Sequence, residues 1–411
     1  MIVVAPWLIG LSMTSSKLEM SSALPAAIDA GSGDMSDGAR LQSVAPSGRE
    51  IWLDALKVCS VLGVIGIHVT ADSAGLPYAS SSVEDRLAPA LGRSLATIFN
   101  YPIFFVASFF LLAGSVRSGS ADYLGIVGVR IRRLIPPFLV WSLIYLAFRN
   151  VKAIAFGYET YYWQELATPL SWVKYLLIGS AQYHLHFLPT LVLLTLFYPA
   201  FNVAKRWPQC ALLLPVLLVL WPQLDSFVYE ALADRPELLP LALSLTKALG
   251  SAGFAFVGFA FYTLHERENS RVAFIALTVG ASTTLLASAF ILVAEADATA
   301  RSGEWLARDL PTHLAHYLAP GCVASLFLVL AKRFSSLVWT RLSSLSLGVY
   351  LFHPIVLDLL EIVERGWAVK PGPTVVFNFV VVTILSFLVV MSVARVAVLK
   401  KLFGVSGSSD G

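Results

Sequence analysis

The chain has 411 residues, 57% of them hydrophobic and only 13% charged, with a formal net charge of +3. A soluble protein of this size carries about 25% charged residues, so the composition excludes an ordinary soluble domain and makes lipid the solvent. Nothing in the charge pattern suggests nucleic-acid binding. The three cysteines, Cys59, Cys210 and Cys322, each sit inside a different apolar run, which argues against a disulfide framework.

Residues 1–48, rich in Ser, Ala, Gly and Asp, read as a disordered tail. Their short apolar stretch, 2–13, lacks the basic n-region and clear small-residue cleavage site of a signal peptide. From Arg49 to Lys401, apolar runs of about 20 residues recur, the length that crosses roughly 30 Å of hydrocarbon at 1.5 Å per residue. They lack the alternation of barrel strands, so the expected fold is all-α: a polytopic transmembrane helical bundle of about ten spans. The predicted spans are 51–70, 95–116, 134–150, 184–203, 209–224, 243–264, 272–294, 312–331, 345–363 and 374–399. Residues 170–179 are too short to cross and are expected to lie at the interface or dip back, and 402–411 form a C-terminal tail.

Lys and Arg near span ends set orientation. They gather in 117–133, at Lys205-Arg206, in 267–271, in 332–341 and at Lys400-Lys401. The opposite loops hold most of the acids, including Glu84, Glu165, Glu230, Glu295 and Asp297. Both termini are therefore expected in the cytoplasm, in a multi-pass protein of the cell (inner) membrane, with no loop long enough for a separate soluble domain.

An ionisable group inside a span costs roughly 2.5 to 3.5 kcal/mol on insertion scales and marks a candidate functional site. The first span contains Asp54, Lys57 and His68. At 100° per residue, Lys57 to His68 is a net rotation of about 20° and a rise of about 16 Å, so all three share one stripe. The plain reading is an Asp54/Lys57 pair at i, i+3 plus a histidine snorkelling at the outer end. The sharper one makes His68 a general base, since an imidazole with an ordinary pKa of about 6.5 suits removal of a hydroxyl proton. His184 opens the fourth predicted span on the same side as His68, and His353 lies within the ninth, in Gly348-Val349-Tyr350-Leu351-Phe352-His353-Pro354. Each is either a histidine bonded to a neighbouring helix or part of a polar cavity.

A metal site is disfavoured. On a helix His184 and His186 point about 200° apart. His313 and His316 are better spaced but bring no Cys or clear carboxylate partner. Arg130-Ile131-Arg132-Arg133-Leu134-Ile135-Pro136-Pro137 opens the third span. Positive-inside anchoring accounts for it, as does a phosphate clamp in which Arg130 and Arg133 project from one face.

These segments, in this order, resemble the membrane-bound acyltransferase family 3, whose members O-acylate surface glycans; enterobacterial common antigen and exopolysaccharide O-acetyltransferases are among them. The resemblance spans Arg49 to about Lys401. It is carried by Leu53-Asp54-Ala55-Leu56-Lys57 with His68, by Pro102-Ile103-Phe104-Phe105-Val106-Ala107-Ser108, by Arg130 and Arg133 with their prolines, by His184-Leu185-His186-Phe187-Leu188, and by the His353 segment. In three places the chain departs from the family's usual pattern: Lys57 stands where Arg is usual, Ser108-Phe109-Phe110 replaces Ser-Gly-Phe, and His186 replaces a Trp. Lys57 keeps the charge but loses the guanidinium fork.

The resemblance implies an O-acyltransferase, by expectation an O-acetyltransferase. It would take acetyl-CoA or another acyl-CoA as co-substrate from the cytoplasm, with no bound cofactor, and acylate a hydroxyl of a glycan or lipid-linked saccharide. His68, Lys57 and Asp54 would form the catalytic set, Arg130 and Arg133 would hold the donor, and His184, Tyr350, His353 and Ser108 would meet the acceptor. The main rival is a multi-span transporter or glycan flippase, which also carries charges within spans. Such proteins often show two similar halves, and no convincing internal repeat relates spans one to five with six to ten.

Overall fold

The computed structural model describes residues 50–404 apart from 74, 79, 118–122, 268–270, 307–308 and 365–369, and the predicted N-terminal tail lies outside the described residues. Lipid offers no partner to a bare N–H or C=O, so a chain this apolar closes its backbone bonds within helices. Among the described residues there are helices and no strands.

The first crossing is α1 (Ile51–Val69). The second is made of two helices, α2 (Val83–Thr97) and α3 (Pro102–Arg117). The sequence predicts a continuous span from 95. The chain instead turns at Asn100, whose carbonyl accepts the Ser60 hydroxyl at 3.2 Å and whose side chain accepts the Tyr101 N–H at 2.6 Å. Helix α4 (Tyr123–Phe156) has 34 residues. At 1.5 Å per residue it is about 51 Å long, so it projects well beyond the hydrocarbon.

Two short helices, α5 (Glu159–Leu166) and α6 (Pro169–Val173), lead into a π-helical turn, Lys174–Ile178. That turn stops at Gly179, where φ is +75° and a Cβ would lie 2.7 Å from the His186 nitrogen, so only glycine fits. Next comes α7 (Phe187–Leu196), bent by 72° from the short helices α8 (Tyr198–Phe201) and α9 (Val203–Arg206).

The remaining helices are α10 (Leu213–Ala231), α11 (Leu239–Glu266), α12 (Arg271–Ser302), α13 (Leu310–Val329), α14 (Leu337–Glu364), α15 (Pro371–Val393) and α16 (Ala397–Leu402). Among the described residues nine helical stretches are long and apolar enough to cross a membrane, and the bent pair makes up to ten. The protein is a multi-pass membrane protein.

Helix α1 is buried nearly all round, by residues from Trp52 and Leu53 to Ile65 and Val69, as befits a helix apolar on every face. It lies against α14, α2, α15, α3 and α13. Its Gly63 lets α1 approach the end of α2: a Cβ there would sit 2.5 Å from the Phe99 carbonyl oxygen. The periphery is different. Along α12, Val272, Ile275, Val279, Leu286 and Phe290 are all more than half exposed. In water such a stripe would be an aggregation hazard; in a bilayer it is the lipid face.

Candidate active site

Polar side chains borne on α1, α3, α4 and α14 enclose a cavity of about 350 Å³. Lys57, Ser108, Arg130, Arg133, Ser343 and Ser344 line it. Asp54 is buried behind Lys57, with Oδ1 3.4 Å from Nζ and accepting the Ser343 hydroxyl at 2.8 Å. Arg130 is anchored by donating Nη2–H to the Ser108 carbonyl at 3.1 Å. Three cations against one carboxylate make this a cavity for an anion. One side is closed by the C-terminal segment: Trp141 donates its indole N–H to the Leu402 carbonyl at 3.0 Å, Phe403 meets the Trp141 ring edge-on at 5.0 Å, and Gly404 lines the cavity.

At the other end of α1 a chamber of about 150 Å³ holds His68, His184 and His186 beside Tyr183, Arg93 and Lys247. Tyr350 lines both spaces. Its hydroxyl donates to the His184 carbonyl at 2.6 Å, and the rings of Phe104 and Phe187 lie 5.6 and 5.7 Å from its own. An aromatic partition thus separates Lys57, Arg130 and Arg133 from the histidines. Along α1 the two are about 16 Å apart.

The histidines form a stack. His68 lies 4.2 Å from the Tyr183 ring and 5.5 Å from His353, nearly parallel to the latter, and His353 in turn is 5.4 Å from His184. Carbonyls accept and never donate, so the contacts of His353 Nδ1 with the Val349 and Tyr350 oxygens, at 3.2 and 2.8 Å, put a proton on Nδ1. The same logic protonates His186 Nδ1, 2.7 Å from the Tyr183 oxygen. The Nε2 atoms of His353 and His186 and both ring nitrogens of His184 are buried without a hydrogen-bond partner among the described residues. Buried polar nitrogens in that state await a ligand or water.

A scan against known families matches the acyltransferase family 3 model, described as an acyltransferase domain, over residues 50–395. The chain belongs to this acyltransferase family. Neither a curated protein nor a solved structure matches it.

Of the residues that the sequence singles out in this acyltransferase, Lys57, Arg130, Arg133 and Ser108 come together in the larger cavity, and His68 and His184 in the chamber, with His353 stacked on its histidines and Tyr350 between. Ser108 does not join the histidines. Four expectations are corrected. His68 does not snorkel to a surface; it stacks on Tyr183 and His353. His184 does not open a helix: the crossing starts at Phe187, and His184 lies in the turn that Gly179 begins, so the helical angle between His184 and His186 does not apply. His313 and His316 are buried in α13, and His316 does have a carboxylate partner, Glu295, at 2.6 Å. Glu295 and Asp297 belong to α12, not to a loop, because that helix runs on to Ser302. Among the described residues no group of three or more His, Cys, Asp or Glu is placed to hold a metal ion.

Two sets of charges escape the motif pattern. Lys247 lies in the predicted sixth span and lines the chamber. Asp358, in the predicted ninth, shares Lys152 with Glu361: the ammonium is 2.6 Å from Asp358 and 2.7 Å from Glu361, pinning α4 to α14. The cost of charge within a span was the available signal for both.

Proposed function

We propose that this membrane acyltransferase moves an acyl group, by expectation acetyl, from cytoplasmic acyl-CoA to a hydroxyl of a cell-surface or exported glycan. The carrying observation is the pair of spaces that meet at Tyr350, one lined by Lys57, Arg130 and Arg133, the other by His68 and His184. A nucleotide thioester ends in several phosphates, and the first space has the cations to hold them. Its reactive carbonyl would then have to span about 16 Å past Tyr350 to reach the histidines.

In the reaction the acceptor oxygen attacks the thioester carbon while His68 takes the hydroxyl proton. The new C–O ester bond forms, the C–S bond breaks, and the CoA thiolate leaves and is protonated by the imidazolium or by water. Lys57, held by Asp54, orients the donor. His184 offers its unpaired ring nitrogens to the acceptor's hydroxyls, and His353, packed on His68, would support that ring from behind. Basic residues at the donor end support an orientation with that end and both termini cytoplasmic in the inner membrane. The family match supports chemistry over transport.

Replacing Arg130 and Arg133 together with Gln tests the donor assignment. Binding of acetyl-CoA to the detergent-solubilised protein should weaken by tenfold or more, about 1.4 kcal/mol or above. Unchanged affinity would reduce both arginines to topology anchors.

A further inference from the structure

We infer that the acceptor saccharide is held in a side pocket of the His68 chamber formed by Arg93, Glu295, His316 and Trp305, a placement that rests on the acyl-transfer reading and adds to it the acceptor's binding residues. Arg93 and His316 line the chamber and also a second cavity of about 50 Å³, whose other walls include Glu295, Thr299 and Trp305. The two spaces are neighbours through these side chains. By the measure in which one water needs roughly 10 to 15 Å³, the smaller space takes a few waters, or the edge of one sugar ring whose remainder lies in the chamber.

The polar groups come from three different helices and converge. His316 on α13 is 2.6 Å from the Glu295 carboxylate on α12, and both side chains are largely buried, at 6% and 17% exposure. From α2, Arg93 donates Nη1–H at 2.9 Å to the carbonyl of Ile67, the residue beside His68, and lays its guanidinium over the Trp305 indole at 4.2 Å. Trp305 is fixed in turn by donating its indole N–H to the Gly75 carbonyl at 2.7 Å. A chain of contacts therefore runs from Trp305 to the backbone next to His68.

Charge separates this site from the donor cavity. Arg93 and Glu295 offset each other, whereas Lys57, Arg130 and Arg133 line a cavity that no carboxylate lines among the described residues, Asp54 lying behind Lys57. A phosphate would be drawn to the latter and repelled by Glu295. A neutral polyol suits the former: the carboxylate accepts from sugar hydroxyls, the guanidinium donates to them, and the indole offers an apolar flank to ring C–H groups. Besides these mutual contacts, Arg93, Glu295 and His316 all border open space. A site that bonds hydroxyls also discriminates strongly against acceptors that lack them.

The test is steady-state transfer from radiolabelled acetyl-CoA to alkali-deacylated polysaccharide of the source cells, using the full-length protein in membrane vesicles, with donor and acceptor varied separately. E295Q, R93Q and W305A should each raise the acceptor KM at least tenfold and leave the donor KM within twofold. If E295Q does not insert, Thr299→Val, which removes one hydroxyl from the same wall, should raise the acceptor KM several-fold. Inserted variants whose acceptor KM is unchanged, or whose donor KM rises in step, would overturn the inference and leave these residues as a helix staple. Wild-type protein that binds acetyl-CoA yet acylates no polysaccharide would overturn the acyl-transfer reading itself, and this inference with it.

Discussion

Lys57 carries a positive charge where the family usually has a guanidinium, and its surroundings say what the change does. Asp54 is buried, with Lys57 on one side and the Ser343 hydroxyl on the other. Removing the ammonium takes a cation from a buried carboxylate, and breaking a buried pair from one side costs about 3 to 5 kcal/mol. Lys57→Ala should therefore lower both the yield of folded protein and the turnover, whereas Lys57→Arg should keep both. Fluorescence-detected size exclusion beside a transfer assay separates the two effects. The stripe from Asp54 to His68 was legible from helical geometry alone. The stack of His68 on His353 was not, because it depends on how α1 packs against α14, which no spacing within one span encodes.

At the scale of helices, two ion pairs tie distant elements together. Lys152 on α4 neutralises Asp358 and Glu361 on α14. Lys152→Met would leave two neighbouring carboxylates without their cation, a loss on the order of 3 kcal/mol. Its melting temperature in detergent should fall by several degrees, and Lys152→Arg should restore most of it. A melting temperature unchanged in Lys152→Met would mean that packing alone joins α4 to α14.

The second tie is Glu50, ahead of α1, which lies 3.0 Å from His265 near the end of α11. The hydrogen bond from His265 holds the Glu50 carboxyl below its usual range, against a smaller opposing effect of burial. A carboxylate depressed in the folded state adds stability above its unfolded pKa and loses it as pH falls through the folded value. Both side chains are about a quarter exposed, so the effect is worth roughly 0.5 to 1 kcal/mol. Glu50→Gln should flatten the decline of melting temperature between neutral pH and the acid range below the ordinary carboxylate pKa. A variant with the wild-type pH profile would show that the pair contributes nothing. Sequence showed where helices lie but not where they break: the turn at Asn100 and the 72° bend after α7 arise from tertiary contacts within apolar runs.

For the molecule as a whole, apolar run length gave the number of crossings, because lipid thickness leaves little freedom. The acyltransferase family was equally legible, since its motifs come in register along the chain. Hidden from sequence were the partition at Tyr350 and the convergence of Arg93, Lys247 and Glu295 around the histidines, since they come from separate helices and share no spacing. The proposed reaction passes an acyl group from the space lined by Lys57, Arg130 and Arg133 to the one lined by His68 and His184, with His68 taking the acceptor proton. The most direct measurement supplies radiolabelled acetyl-CoA to the outside of sealed inside-out membrane vesicles and counts alkali-labile label in polysaccharide, for wild-type protein and an equally inserted His68→Ala variant. Label is expected in the wild type, with at least about a 100-fold loss in the variant, the usual size of a general-base contribution, and acetyl-CoA affinity retained. Transfer by His68→Ala at the wild-type rate would contradict the proposed reaction.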